Sequence, residues 1–149
     1  MPAKKTATGS GGFTADERAA MKARAAELRA EGKSGAKKAD GLEALLDAIE
    51  AMEPGDRELA EHVHRTVTAN GPGLSPKTWY GMPAYANADG KVVLFFQNSG
   101  KFSYSYSTLG FQDTAHLDDG EMWPVAFALT KWTDLVEKRV AELVRTAVS

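Results

Sequence analysis

The segment Lys77–Phe111, KTWYGMPAYANADGKVVLFFQNSGKFSYSYSTLGF, decides the fold. Here the apolar residues leave the helical spacing of the preceding chain and adopt alternation or continuous runs, broken by turn groups at Asn87–Gly90 and Asn98–Gly100. The pattern predicts an antiparallel meander of three strands near residues 77–86, 91–97 and 101–108. KVVLFF is apolar on both faces, as a central strand requires. In the third strand Phe102, Tyr104 and Tyr106 alternate with Ser103, Ser105 and Ser107, which predicts an aromatic face backed by a hydroxyl face. Pro83 lacks an N–H for the ladder, so the first strand is expected at an edge, with a kink.

Working back from this segment, helical spacing dominates. Thr14 and Glu17 form the reciprocal capping pattern ahead of a helix over Phe13–Ala30, whose thin apolar face is Met21, Ala25 and Leu28. That face predicts weak docking or the shielding of a sheet edge. After the polar linker EGKSGAKKAD, Asp40 is placed to cap a second helix with Leu42, Leu45, Leu46, Ile49 and Met52 on one face. Pro54 opens a third helix, with Leu59, Val63 and Val67 at four-residue intervals, and NGPG stops it.

Working forward, residues 109–124 form a connection longer than most, of the kind that carries function or a short helix. VAFAL at 125–129 predicts a fourth strand. A final helix from Asp134 has Val136, Val140, Leu143, Val144 and Ala147 as its apolar stripe. The fold class expected is therefore α+β, an antiparallel sheet of about four or more strands with helices packed on it. The expected organisation is a flexible tail over 1–12 and a single domain over 13–149.

Bulk properties narrow the function classes. A chain of 149 residues with 43% hydrophobic and 26% charged residues can bury one core, and no apolar run reaches the length of a membrane span. The opening MPAKKTATGSGG has no apolar stretch of the secretory kind, and the chain has no cysteine, so a cytoplasmic location is expected. A net charge of −2 argues against a nucleic-acid binder. Charge is nonetheless polarised along the chain: basic residues prevail before residue 40, and acidic ones over 40–61.

Short enzyme signatures are missing. GKS at Gly32–Ser34 has Glu27 where a phosphate loop needs its first glycine, and no nucleophile elbow, H-E-x-x-H or G-x-G-x-x-G occurs. With no recognisable catalytic constellation, no enzymatic activity is expected. His62 and His64 stand too far around their helix to grip one ion. Two groups of metal-type donors remain. Glu43, Asp47 and Glu50, with Asp40, form a carboxylate stripe opposite the leucines, suited to hard cations, to a basic partner, or to plain solvation. His116, Asp118, Asp119 and Glu121, with Asp113, mix oxygen and nitrogen donors in the long connection, where they serve equally well as turn and helix caps. A third candidate is an aromatic pocket for a small molecule, formed by Trp79, Tyr80, Met82, Tyr85, Phe102, Tyr104, Tyr106 and Trp123. The same rings also suit a core, with Tyr80 or Tyr85 best placed to reach a pocket through a polar tip.

Three blocks in order, WYGMPAY at Trp79–Tyr85, TLGF at Thr108–Phe111 and LDDGEMWP at Leu117–Pro124, resemble the YdhG-like bacterial family, a domain family of unknown function. The resemblance runs from about Phe13 to the C-terminus. It implies a compact α+β domain and a grouping with frataxin-like proteins, described as intracellular iron chaperones that bind iron weakly through surface carboxylates. By the same resemblance, iron is the implied metal and an iron-cofactor assembly protein the implied partner. No catalytic residue carries over, and at Phe102–Tyr106 the chain lacks the basic residues common in the family.

Overall fold

The computed structural model describes residues 12–32 and 38–149. The expected tail, apart from Gly12, and residues 33–37 of the expected linker lie outside the described residues; the ends of that linker are helical, with Glu31 closing α1 and residues 38–40 opening α2. Among the described residues four α-helices, α1 (Ala15–Glu31), α2 (Lys38–Glu50), α3 (Pro54–Asn70) and α4 (Asp134–Val148), accompany five strands. The strands are β1 (Ser75–Trp79), β2 (Met82–Ala86), β3 (Val92–Gln97), β4 (Ser107–Phe111) and β5 (Ala126–Leu129). They pair in sequence order, every neighbour antiparallel. The chain is thus an α+β protein with an N-terminal helical part and a C-terminal helix.

Register divides the sheet into two faces. Tyr85, Leu94 and Phe111 form one cross-strand row, and Phe96, Leu109 and Phe127 the next. These pack against Leu45 and Ile49 of α2, Leu59, Val63 and Val67 of α3, and Val140, Val144 and Ala147 of α4. On the opposite face Ala84, Phe95, Gly110 and Ala126 align. A Cβ at Gly110 would overlap the Phe95 ring, so the glycine is what lets that ring lie flat across β4.

Two strand expectations need correction. Residues 77–86 are a hairpin rather than one kinked strand: Tyr80 (φ 54°) and Gly81 (φ 79°) form a two-residue left-handed turn between the paired Trp79 and Met82. Pro83 sits on an inner strand, yet the β2–β3 ladder begins only at Ala84, so the missing N–H interrupts nothing there. Residues 101–106 are not a strand. The chain forms a 3₁₀ turn at Ser99–Lys101, passes through φ 60° at Ser103, and exposes Tyr104 and Tyr106 before pairing resumes at Ser107. The cause is Asp56 at the start of α3. Its carboxylate accepts from Ser99 Oγ at 2.8 Å and the Gly100 N–H at 3.0 Å, while Ser107 Oγ accepts the Ser99 N–H at 3.0 Å. Burial raises the Asp56 pKa, but these hydrogen bonds outweigh it and hold the carboxyl below its ordinary value.

The helices follow their caps more closely than their apolar stripes. The Thr14–Glu17 capping box forms as expected, and Thr133 caps α4 through Val136 N–H. Helix α2 begins two residues before Asp40, which therefore lies in the first turn, where its charge faces the positive end of the helix. Leu45 and Ile49 are buried, but Leu42 and Leu46 lie exposed at the rim. Residues 112–125 contain no helix.

Helix α1 inverts its expected orientation. Met21 and Leu28 are exposed, and the only buried residue is Ala20. The inward side carries Glu27, whose two carboxylate oxygens accept the N–H groups of Tyr80 at 2.9 Å and Gly81 at 2.8 Å. Glu31 pairs with Lys77 at 2.6 Å, and the Arg24 guanidinium lies 5.8 Å from the Tyr80 ring centre. Polar contacts with the hairpin, more than apolar burial, hold this helix in place.

Candidate ligand-binding groove

Tyr85 links the core to the surface. Its ring is 1% exposed in the row with Leu94 and Phe111, and its hydroxyl lies 3.0 Å from His64 Nδ1 on α3. Burial raises the Tyr85 pKa, so the phenol stays protonated at neutral pH. It has no other hydrogen-bond partner among the described residues, so the phenol donates to Nδ1 and leaves Nε2–H as the imidazole donor. The rings stack at 5.9 Å. Burial, followed by the charge of Arg65, lowers the His64 pKa and keeps the imidazole neutral near pH 7.

His64 lines an open groove of about 680 Å³ between α2 and α3. Leu46 and Ile49 supply its apolar surface. Asp47 and Glu50 enter from α2, and Arg57, Glu61, His64 and Arg65 from α3. Arg65 also donates to His62 Nδ1 at 3.1 Å, and His62 stacks on Trp132 with rings 7° from parallel, which fixes the guanidinium at one end. The groove therefore offers three carboxylates, two guanidiniums and one neutral imidazole beside an apolar surface. Such a lining can hold a ligand carrying charges of both signs.

Two members of the sequence-predicted carboxylate stripe, Asp47 and Glu50, line this groove, while Glu43 is exposed elsewhere on α2. The second metal group disperses: His116 Nδ1 donates to the Ser149 carbonyl oxygen at 2.7 Å and anchors the C-terminus. Asp118 and Asp119 line a second groove, of about 430 Å³, with Trp123, Arg139 and Glu142. Glu121 is exposed. Among the described residues no three His, Asp or Glu side chains are placed to hold a metal ion.

The aromatic set is distributed over both faces of the sheet and two loops. Trp79 meets Tyr80 edge-on at 5.1 Å and Phe95 at 5.3 Å. Met82 is buried, and Tyr104 and Tyr106 pair with each other at 5.7 Å. Phe102 lies under the Lys101 ammonium at 5.6 Å. Only Tyr85 reaches the α2–α3 groove, and it does so through His64. Arg57 and Glu61 were not singled out from the sequence and His64 was weighed only as a metal ligand, although their i, i+4, i+7 spacing beside the Val63–Val67 stripe marks one polar edge of α3.

Comparison of the chain with protein-family models, with curated proteins and with solved structures finds no match in any of the three.

Proposed function

We propose that the chain is a small cytoplasmic binding protein that holds a low-molecular-weight zwitterion in the α2–α3 groove. The observation that carries this reading is the two-signed lining around His64. A carboxylate or phosphate on the ligand would meet Arg57 and Arg65, whose planar guanidiniums suit such groups, and an amine would meet Asp47, Glu50 or Glu61. His64 adds a neutral donor whose orientation Tyr85 sets. No step here requires proton transfer or a nucleophile, so binding without turnover is the reading offered.

The iron-chaperone expectation stands as a second reading, in keeping with the YdhG-like resemblance. Its support is that Asp47, Glu50 and Glu61 line one groove and lend it negative charge, although they are not grouped closely enough to hold an ion together. Arg57 and Arg65 oppose it by repelling a cation. An iron-cofactor assembly protein is the partner that this second reading would supply.

One titration separates the two. Backbone amide NMR of the full chain is followed while L-arginine, L-glutamate or anaerobic Fe(II) is added. Saturable shifts on α2 and α3 with an amino acid support the first reading, and the same shifts with Fe(II) alone support the second. Silence of these signals at millimolar ligand removes both.

A further inference from the structure

The β1–β2 hairpin tip presents donors that α1 occupies. Tyr80 and Gly81 both have positive φ, which aims their consecutive N–H groups at a single carboxylate, that of Glu27. The Glu27 side chain is 10% exposed. Lys101 Nζ stands about 3.0 Å from where a Gly81 Cβ would lie; burial lowers its pKa, and the charges of Glu27 and Asp16 offset this only in part. One turn further along α1, Glu31 takes the ammonium of Lys77, whose side chain is 17% exposed. Two backbone donors thus meet Glu27 and Lys77 meets Glu31, while Lys101 stands beside the turn without pairing directly with either carboxylate.

The helix that supplies them has little else to hold it. Its apolar residues Met21 and Leu28 face outward, and Ala20 alone is buried. Within the helix, its capping box and the Arg24 contacts to Glu27 and Glu31 add local stability that does not involve the sheet.

We infer that the hairpin tip, with Lys77 and Lys101, is an anion-binding site for a small dicarboxylate or phosphate compound, and that α1 covers it as a tethered competitor. Glu27 and Glu31 stand in for the ligand's anionic groups. A free dianion gains the same donors when α1 swings away, and its apparent affinity in the intact chain is reduced by the fraction of time α1 is docked. The site is separate from the α2–α3 groove, and neither reading depends on the other.

The test uses the full chain carrying Glu27→Ala, titrated with succinate and, separately, with inorganic phosphate at constant ionic strength. The readout is the amide signals of Tyr80 and Gly81. The expected result is a saturable shift with an apparent Kd at least about tenfold lower than in the wild-type chain. Adding Lys101→Met should weaken it by about tenfold or more, in line with loss of a charge-assisted contact. Tighter binding of succinate assigns a dicarboxylate ligand, and tighter binding of phosphate a phosphate ligand. If Glu27→Ala does not fold, Glu27→Gln, which removes the charge and keeps the shape, carries the same expectation. Equal response in wild type and variant, no response in a folded variant, or a response indifferent to Lys101→Met would each overturn the inference.

Discussion

Replacing Tyr85 by Phe removes one oxygen and leaves the ring row with Leu94 and Phe111 intact. The lost contact is the 3.0 Å bond to His64 Nδ1. A hydrogen bond of this kind contributes about 1 kcal/mol net, and His64 is partly open to water, which can replace the lost donor, so a cost of about 0.5–1 kcal/mol is expected. For a chain of this size that corresponds to a fall in Tm of roughly 1–4 °C. The sign of the effect depends on pH. Burial raises the Tyr85 pKa above its ordinary 10.0, so the folded chain holds this proton more tightly than the unfolded chain does. The associated stability is fully present below pH 10 and lost as pH rises beyond it. The variant should therefore lose less stability than wild type above pH 10, and the gap between them should close or reverse. Burial and then the Arg65 charge lower the His64 pKa and are left in place by the change; loss of the donated hydroxyl, which favours the neutral ring, should raise that pKa from its present value. Thermal unfolding between pH 7 and 11, together with NMR titration of the His64 ring, measures both effects. A variant with unchanged Tm, unchanged alkaline behaviour and an unmoved His64 would refute the Tyr85–His64 link.

Other expectations follow from single contacts. Gly110→Ala drives a methyl into the Phe95 ring and should cost about 1–3 kcal/mol, read as a lower urea midpoint with unchanged slope. Gly81→Ala must hold φ 79° with a side chain and should cost about 1–2 kcal/mol in the same assay. Asp56→Ala should free the 98–100 segment, visible as faster amide exchange at Gly100 and Tyr104. In the wild-type chain the stability due to Asp56 is present above pH 3.8 and lost as pH falls through its lower folded value. His64 acts at milder acidity: with its folded pKa below 6.5, the unfolded chain takes up the proton first, so stability falls as pH drops below 6.5. His64→Gln should remove that portion of the slope.

Periodicity located α3, α4, the central strand and the fourth expected strand because each buries a face whose spacing matches its backbone. The failures arose where a distant or polar contact decides the conformation. FSYSY alternates like a strand, but Asp56, more than 40 residues earlier, grips Ser99 and Gly100 and bends the chain out of the sheet. Tyr80–Gly81 lacks the Asn-Gly or Asp-Gly signal of a left-handed turn, so the hairpin was legible only from geometry. Helix α1 was readable from its cap, but its docking side was not, because Glu27 and Glu31 outweigh Met21 and Leu28 there. For the groove, Asp47 and Glu50 and the polar tip of Tyr85 were visible in sequence. Their meeting with Arg57, Glu61 and His64 required the α2–α3 packing.

The α2–α3 groove is tested most directly by an L-glutamate titration of the wild-type chain beside Arg57→Ala, with amide NMR as the readout. Saturable shifts are expected at Asp47, Glu50, Glu61, His64 and Arg65, with affinity reduced about tenfold or more in the variant. Shifts gathered instead around Asp118, Trp123 and Arg139, or shifts indifferent to Arg57→Ala, would contradict that expectation.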